Sequence, residues 1–430
     1  MSVSNPAFII PRRPVVGEEA EWVKMFDPIT ASPPTPELLA PTNPVPAFVA
    51  ATVPGARMSI PNTLNLRLMN GTNLTMFDGT SVSMFTISNN DIPAAAAGTF
   101  PSTTIRVPRG VIFHATTQGA GPPPHTIHWH GIEPTPINDG VGHCSMEIGN
   151  YTYQWQPNFI GSYFYHCHRN TVQHFDFGLY GFLIIEPPDA YDPSDGKNVG
   201  GYPRRNSANL AKFPQFPGFN PNALETGDPH AMTYPYDVEA LWVLDDIDSV
   251  WHDLAPNARA FFPAHGTQPG VNDIFPQGGI FHDFNPNYFV CTGVNFPGRA
   301  GGTADLPSNI VVPRDLNSGV AGMQVPINAG VNQTILVRVL DGAYSKIKVT
   351  FPVDVVITAF DGRGLGVPPF NRYNSPFLLP KNTPYELSTA RRFDALIRSA
   401  VPVHDFATIE YRHAFDDRFL FTGRIPINIS

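Results

Sequence analysis

Hydrophobic and polar residues alternate in short runs along most of the chain after about residue 55. Alternation with a period of two is typical of β-strands, and closely spaced strands separated by turn residues indicate an antiparallel sandwich or barrel. The first series of such runs, each bounded by Gly, Pro or Asn, comprises LNLRLMN, SVSMFTIS, TTIRVPRGVIFHATT, HTIHWHGI, YTYQWQP and SYFYHCH. The apolar run in GFLIIEPPDA ends at two prolines, which predicts that this unit closes near residue 190.

A second series of strand patterns begins after residue 235 and comprises VEALWVLDDID, YFVCTGVNF, QTILVRVLDG, KIKVTF, DVVITAFDG, FDALIRSA, TIEYRH and RIPINI. Residues 1–54 are rich in proline and are predicted to form an extended arm. Residues 191–235 are polar and poorly periodic, which predicts a linker, and residues 252–286 are predicted to be an insertion. We therefore predict an all-β protein with two sandwich domains, over residues 55–190 and 236–430.

Composition excludes several classes of function. The net charge of −9 argues against nucleic acid as a partner, since nucleic acids favour a basic surface. No apolar run reaches the roughly 18 residues of a membrane span, so no membrane is predicted as a partner. The first residues lack the apolar stretch of a signal peptide, and the compartment is therefore left open. Three cysteines do not make a disulfide framework. Cys144 and Cys291 could pair across the two domains, but ordinary buried thiols are the favoured prediction for both.

Six of the fourteen histidines fall in two short segments, HTIHWHGI and HCHRNTVQHFDFGL. Alternate residues of a strand share a face, so His128 and His130 point the same way, and so do His166 and His168. If the two strands are neighbours, these four imidazoles converge on one face. The cysteine between the last two histidines, Cys167, must point to the opposite face.

On that opposite face we expect a metal site. His125 lies an odd number of residues from the other histidines of its strand and leans towards the thiolate. Two histidines and a cysteine make the trigonal blue-copper (type 1) site, and His125, Cys167 and His174 fit those roles. The axial position falls to Leu179, which cannot ligate. The four co-facing imidazoles suit copper or zinc, and copper is favoured beside such a site.

The remaining histidines are not predicted to be metal ligands. His114 and His143 are candidates for lying near the site. The others are predicted to have ordinary surface roles: His230, His252, His265, His282, His404 and His413.

At these residues the sequence resembles the multicopper oxidases, the laccase-like members of the cupredoxin family. The motifs HWHGI, DGVGHC, YTYQW, GSYFYHCH and GLYGFLIIEPP follow the order of one copper-bearing domain of that family. The second unit resembles the family's copper-free middle domain, through YDVEALWVLDD, FNPNYFVCTGVNF, VNQTILVRVLDG and RRFDALIR. The resemblance implies two Greek-key cupredoxin-like domains, of which only the first binds copper.

The resemblance also implies roles for single residues. His125, Cys167 and His174 match the type 1 copper ligands. His128 and His130 match ligands of a trinuclear copper cluster, and His166 and His168 match its type 3 ligands. Electrons would then pass from type 1 copper through Cys167 and a flanking histidine to the cluster.

Two departures from the family pattern qualify this picture. The spacing from Cys167 to His174 is two residues longer than usual. A trinuclear cluster also needs eight histidines from two copper-bearing domains, and the second unit has no H-x-H motif. Either a second chain supplies the missing four, which leaves a homo-oligomer open, or the cluster is incomplete.

Three functions follow from these residues. The first is a copper-dependent oxidoreductase that passes electrons from a phenol-like or metal-ion donor through type 1 copper to a histidine-bound copper site and reduces O₂. Its catalytic residues are Cys167, His128, His130, His166 and His168. The second is a blue-copper electron carrier with an incomplete cluster. The third is a nitrite reductase-like copper enzyme that uses His130 and His166, with His404 or His413 supplied by the second domain.

Overall fold

The structure of the chain is a computed structural model. It describes residues 63–89, 99–108, 112–118, 125–132, 134–141, 150–157, 159–168, 171–186, 213, 215–216, 236–252, 284–308, 323–365 and 376–430. The predicted arm over residues 1–54 lies outside the described residues. The predicted linker is described only at residues 213, 215 and 216, where Phe213 and Phe216 are buried against the second unit.

Eight strands of the described chain form a first sandwich, as the alternating runs predict: β1 (Thr63–Thr75), β2 (Ser81–Asn89), β3 (Ser102–Pro108), β4 (Phe113–Gln118), β5 (His128–His130), β6 (Asn150–Trp155), β7 (Gly161–His166) and β8 (Tyr180–Glu186). They make one sheet in the order β2-β1-β4-β6 and another in the order β3-β8-β7-β5. A six-residue helix, α1 (Thr171–Asp176), lies between β7 and β8, and Pro136–Asn138 form a 3₁₀ turn.

The sheets are mixed and not antiparallel throughout, which corrects the prediction. β1 runs parallel to β4, and β3 runs parallel to β8. In each pair the chain visits the other sheet before it returns to lie beside the earlier strand. Alternation of polarity along one strand carries no information about the direction of its neighbour, so the sequence pattern could not distinguish these pairings.

Fifteen strands form the second unit within the described residues: β9 (Val238–Ile247), β10 (Tyr288–Cys291), β11 (Val294–Asn295), β12 (Thr303–Asp305), β13 (Met323–Gln324), β14 (Ile327–Ala329), β15 (Ile335–Asp341), β16 (Lys346–Thr350), β17 (Val355–Phe360), β18 (Arg363–Gly364), β19 (Phe377–Leu379), β20 (Pro384–Leu387), β21 (Arg392–Ile397), β22 (Val403–Arg412) and β23 (Phe419–Ile429). Nine of them make a sheet that contains β9, β15 and β21, and six make a sheet around β22 and β23. The residues between these two sheets form the largest apolar core.

The second unit packs on the outer face of the sheet that contains β5 and β7. Along β7 and β8, alternate residues enter the core of the first sandwich, as Tyr165 and Leu183 do. The intervening residues, such as Phe164 and Phe182, pack with Leu241 of β9. Both faces of β7 and β8 are therefore buried, which explains why GSYFYH and YGFLIIE are apolar on both faces.

A buried ionic network crosses the contact between the two sandwiches. Arg106 of β3 donates to Glu186 of β8 and to Glu239 of β9, both at 2.6 Å. Arg338 of β15 donates to the other oxygen of Glu239 at 2.6 Å. Arg338 also donates to the hydroxyl of Ser162, which donates to Asp394 of β21. Because buried charges are tolerated only when paired, this network fixes one relative position of the two sandwiches.

Within the part of the chain that the structure describes, no helix has the length and apolar composition that crossing a membrane requires.

Substitution of Glu239 by Ala is expected to lower the free energy of unfolding by about 3–5 kcal/mol, because it leaves Arg106 and Arg338 buried beside each other without their shared carboxylate. Chemical denaturation measures the change. Glu386→Ala is the control, since Glu386 is half exposed and bridges to Lys346 and Lys348 at 3.8 and 3.6 Å. The control should lose no more than about 1 kcal/mol. Equal losses in the two variants would contradict the role of the network.

Candidate metal centre

A buried group of two imidazoles and one thiol lies on the inner face of the sheet. The sulfur of Cys167 is 3.2 Å from Nδ1 of His174 and 3.6 Å from Nδ1 of His125. The two imidazole rings are 4.7 Å apart between centroids. All three residues are buried, with exposed fractions of 1–2%.

The loop between β7 and β8 holds this inner group together. Cys167 comes directly after β7, and its backbone N–H donates to the carbonyl of Leu179 at 2.9 Å. The N–H of Leu179 donates to the carbonyl of His174, also at 2.9 Å. The longer spacing between the cysteine and the histidine is accommodated by α1, which contains His174.

The separations in the inner group fit a metal ion. Bond lengths of about 2.3 Å to sulfur and about 2.0 Å to an imidazole nitrogen, opened at about 120°, separate sulfur from nitrogen by roughly 3.7 Å. The two observed separations lie close to this value. Leu179 is fully buried in the same apolar cluster as Cys167, and its side chain offers no donor atom, so the described residues provide a three-donor set.

A second group of histidines lies on the outer face of the same sheet. β5 and β7 are antiparallel neighbours, with His128 opposite His166 and His130 opposite Phe164. Nδ1 of His130 is 3.3 Å from Nε2 of His166, and donor atoms of His128, His130 and His166 all lie within 4.8 Å of one another. The ring of His168 is 5.2 Å from that of His128 and 5.5 Å from that of His166.

Hydrogen bonds leave lone pairs of this outer group directed at its centre. Nδ1 of His128 donates to the backbone carbonyl of Asp139 at 2.8 Å, and Nδ1 of His166 donates to the carbonyl of Cys167 at 3.0 Å. Because a carbonyl only accepts, these two nitrogens carry the protons, and Nε2 of each ring keeps the lone pair that a metal ion would bind. The carboxylate of Asp139 lies 3.3 Å from His128 and reinforces this tautomer.

Gly140 explains how Asp139 reaches the histidines. A Cβ atom at Gly140 would lie 1.7 Å from the carbonyl oxygen of Ile127, and its φ of +73° belongs to the left-handed region. Only glycine allows the turn to approach β5 this closely.

The second sandwich brings a buried cation to the outer group. The guanidinium of Arg392 lies 5.2 Å over the ring of Phe164, which stacks on His130 at 4.3 Å. A Cβ at Gly131, the residue after His130, would be 2.9 Å from Nη2 of Arg392. Arg392 is held by the carbonyl of Ala390 at 2.7 Å.

Burial and neighbouring charge lower the pKa of three outer imidazoles, those of His130, His166 and His168, and keep them neutral. Burial, followed by the charge of Arg392, lowers the pKa of His130 to about 3. Burial and the neighbouring His128 and His130 lower the pKa of His166 well below its usual value. Burial lowers the pKa of His168 in the same direction. Neutral imidazoles are the form that binds metals, so these rings are ready to ligate at neutral pH.

The multicopper oxidase family model matches residues 82–190, which include both histidine groups. This segment of the chain is similar to a multicopper oxidase domain. The chain is 38% identical over 104 residues to an L-ascorbate oxidase of Cucumis sativus, covering 21% of this chain and 16% of that protein. It is also 43% identical over 68 residues to a laccase of Aspergillus fumigatus, covering 14% of this chain and 11% of that protein.

Solved structures confirm the all-β cupredoxin-like fold over more of the chain. The blue copper oxidase from Nitrosomonas europaea superposes with a TM-score of 0.50 at 18% identity, covering 86% of this chain and 85% of that chain. The multicopper oxidase mgLAC gives a TM-score of 0.50 at 16% identity, covering 86% of each chain. At these identities the likeness concerns the fold alone.

The donor chemistry of the multicopper oxidase domain agrees with its family. Copper is the metal of multicopper oxidases, and a thiolate with imidazoles on one face and imidazoles alone on the other suits copper. The domain thus brings together all seven predicted donor residues, in two groups separated by the thickness of one strand.

Histidines outside the multicopper oxidase motifs have mixed outcomes. His404 is exposed, as predicted, whereas His252 and His413 are buried, so the surface prediction was wrong for both. His252 contacts Asp176, and His413 contacts Asp416. His114 lies on β4 opposite Gln154 and belongs to neither metal group. His143, His230, His265, His282 and Cys144 lie outside the described residues.

Three residues near the multicopper oxidase site were not predicted from the sequence: Asp139, Arg392 and His252. Asp139 stands in DGVGHC and Arg392 in RRFDALIR, so both were within motifs that marked the resemblance. Neither motif indicates that its charged residue lies beside the outer histidines.

Leu179→Met is expected to lower the reduction potential of copper bound at the inner group, because a thioether can ligate where leucine cannot and donates to the oxidised metal. Redox titration followed by the blue absorbance measures the potential. Leu183→Met is the control, since Leu183 is equally buried in the same apolar cluster but lies within β8. A potential that shifts equally in both variants would show that Leu179 is not in the axial position.

Proposed function

We propose that this protein is a copper-dependent oxidoreductase of the multicopper oxidase type. It takes electrons from an outer-sphere donor, a phenol-like molecule or a metal ion, at the inner group His125, Cys167 and His174. It delivers them to the outer group His128, His130, His166 and His168, with O₂ as the terminal acceptor. The segment matches span 16% and 11% of the two curated relatives, so the activity of the whole chain rests on the site and not on those proteins.

The observation that carries the proposal is the position of Cys167 between the two groups. Its sulfur lies 3.2–3.6 Å from the inner imidazoles, while the residues covalently attached to it on either side are the outer ligands His166 and His168. Bound copper would supply the one-electron redox chemistry of the reaction. The chain's contribution is a short covalent connection between two donor sets that are held rigidly by one sheet.

The two groups differ in access, which suits the two ends of such a reaction. His125, Cys167 and His174 are all buried. Electrons from an external donor must therefore pass through intervening protein, and the donor molecule itself does not ligate the metal. His128, His130 and His168 are partly exposed, which leaves room for a small ligand such as O₂. Asp139, held next to His128, provides a carboxylate that can accept or return a proton near that group.

A blue-copper electron carrier is the second candidate, and a specific observation favours it. Among the described residues, the second sandwich adds no histidine to the outer group, because His252 and His413 contact aspartates elsewhere and His404 is exposed. The same observation gives the nitrite reductase-like alternative no third ligand among the described residues of one chain.

Cys167→Ser is expected to abolish the intense blue absorbance of the copper-loaded protein, because that absorbance requires a thiolate ligand. The control is Cys291→Ser, which changes a fully buried thiol in the core of the second sandwich and should keep the colour. Absorption spectra with metal analysis test both variants. A blue Cys167→Ser protein would exclude the inner group as the type 1 site.

His128→Ala is expected to keep the blue absorbance but to bind less copper per chain and to lose O₂ consumption with a phenolic donor. Metal analysis, an oxygen electrode and mass measurement in solution provide the readouts. Two or more coppers per wild-type chain, with O₂ uptake, support the oxidase, and one copper per chain supports the carrier. Undiminished turnover of the His128→Ala variant would refute the role of the outer group.

A further inference from the structure

The segment that carries His174 and Leu179 has little support of its own. α1 has six residues, and helices of this length are not stable in isolation, so contacts with the rest of the protein must hold it. This segment is also the part of the domain whose length departs from the family spacing. Two contacts with the second sandwich support it, one from within the segment and one from the residue that follows Leu179.

The first contact is a buried pair between Asp176 and His252. Asp176 is the last residue of α1, and its carboxylate lies 3.3 Å from Nε2 of His252. Both side chains are buried, with exposed fractions of 0 and 2%. Nδ1 of His252 donates to the carbonyl of Ser83 at 2.7 Å, which directs Nε2 at the carboxylate. The imidazole also lies against the ring of Phe177, at 4.3 Å between centroids.

The second contact lies just beyond Leu179. The hydroxyl of Tyr180 donates to the carboxylate of Asp245 at 2.6 Å, and both residues are buried. The ring of Tyr180 stacks on Phe175, the neighbour of His174, at 4.8 Å between centroids and 19° between planes. Tyr180 therefore supports the segment at both ends, next to His174 through Phe175 and next to Leu179 through the chain.

Both anchoring groups come from one short stretch of the second sandwich, β9 and the residues that directly follow it. Asp245 lies in β9, and His252 follows β9 by five residues in a short helical segment that begins at residue 249. β9 is paired on both sides, with β10 and β15, and all of its residues are buried. A displacement of the segment would have to break a contact with this fixed strand.

We propose that His252 and Asp245 are positioning residues for the inner metal group, which fix His174 and Leu179 from the second sandwich. The inference rests on the proposed function, because it assumes that the inner group binds copper. It assigns a role to the copper-free sandwich: to set the geometry of a centre to which it contributes no ligand. Partners outside the ligand shell commonly change metal affinity by about 10–100-fold.

The experiment compares full-length, copper-loaded variants with wild type. His252→Asn keeps a donor for Ser83 but loses the contact with Asp176, and Tyr180→Phe removes only the hydroxyl that binds Asp245. Tyr411→Phe is the matched control, since the hydroxyl of Tyr411 is equally buried and donates to the carbonyl of Val290, in the second sandwich. The readouts are the position of the blue absorption band, the copper hyperfine splitting in electron paramagnetic resonance, and copper affinity by chelator competition.

We expect both test variants to shift the blue band and the hyperfine splitting and to lose about 10-fold in copper affinity. Tyr411→Phe should match wild type in all three readouts. Wild-type spectra and affinity in both folded test variants would overturn the inference, and if His252→Asn does not fold, Tyr180→Phe decides. A wild-type protein that takes up copper without turning blue would instead refute the proposed function.

Discussion

The pleat of one strand, β7, determines the organisation of the site. Successive residues of a strand point to opposite faces, so a histidine, a cysteine and a histidine in sequence cannot share one metal ion. Cys167 continues the inward-facing series of Tyr165, whereas His166 follows the outward-facing Phe164. The register between β5 and β7 then places His128 beside His166. Two donor groups on two faces of one sheet follow from this geometry.

This arrangement requires a cover for the outer face, and the second sandwich provides it. An outer face made of Phe164, Phe182 and Ile184 would be a large exposed apolar surface in an isolated domain. β9 covers it with the alternate residues Leu241 and Val243, while Ala240, Trp242 and Leu244 enter the core of the second sandwich. The sandwich without a predicted metal site is thus part of the environment of both groups, through Arg392 on one side and His252 on the other.

The local parts of this structure could be predicted from the sequence, because they depend on residues close together in the chain. Period-two alternation indicated the strands, and parity along HWH and HCH indicated which side chains share a face. The contacts of Arg392 with Phe164 and of His252 with Asp176 join residues far apart in sequence, and no local pattern encodes them. A buried histidine and an exposed one look the same in a sequence, which is why His252 was assigned to the surface. The parallel pairs β1–β4 and β3–β8 were missed for a related reason, since pairing is a property of two strands.

In the proposed reaction the two groups would place opposite demands on the protein, and the burial of their residues agrees with this. A centre that only exchanges electrons benefits from a fixed coordination geometry, and all three residues of the inner group are buried, with Cys167 in the apolar core of the first sandwich. A centre that must bind a small molecule needs an open position, and three of its four imidazoles are partly exposed. Arg392 adds a positive charge beside His130, which favours an anionic ligand there over an additional metal cation. The number of metal ions that the outer group can hold is therefore limited by charge as well as by donor atoms, unless further ligands join from outside the described residues.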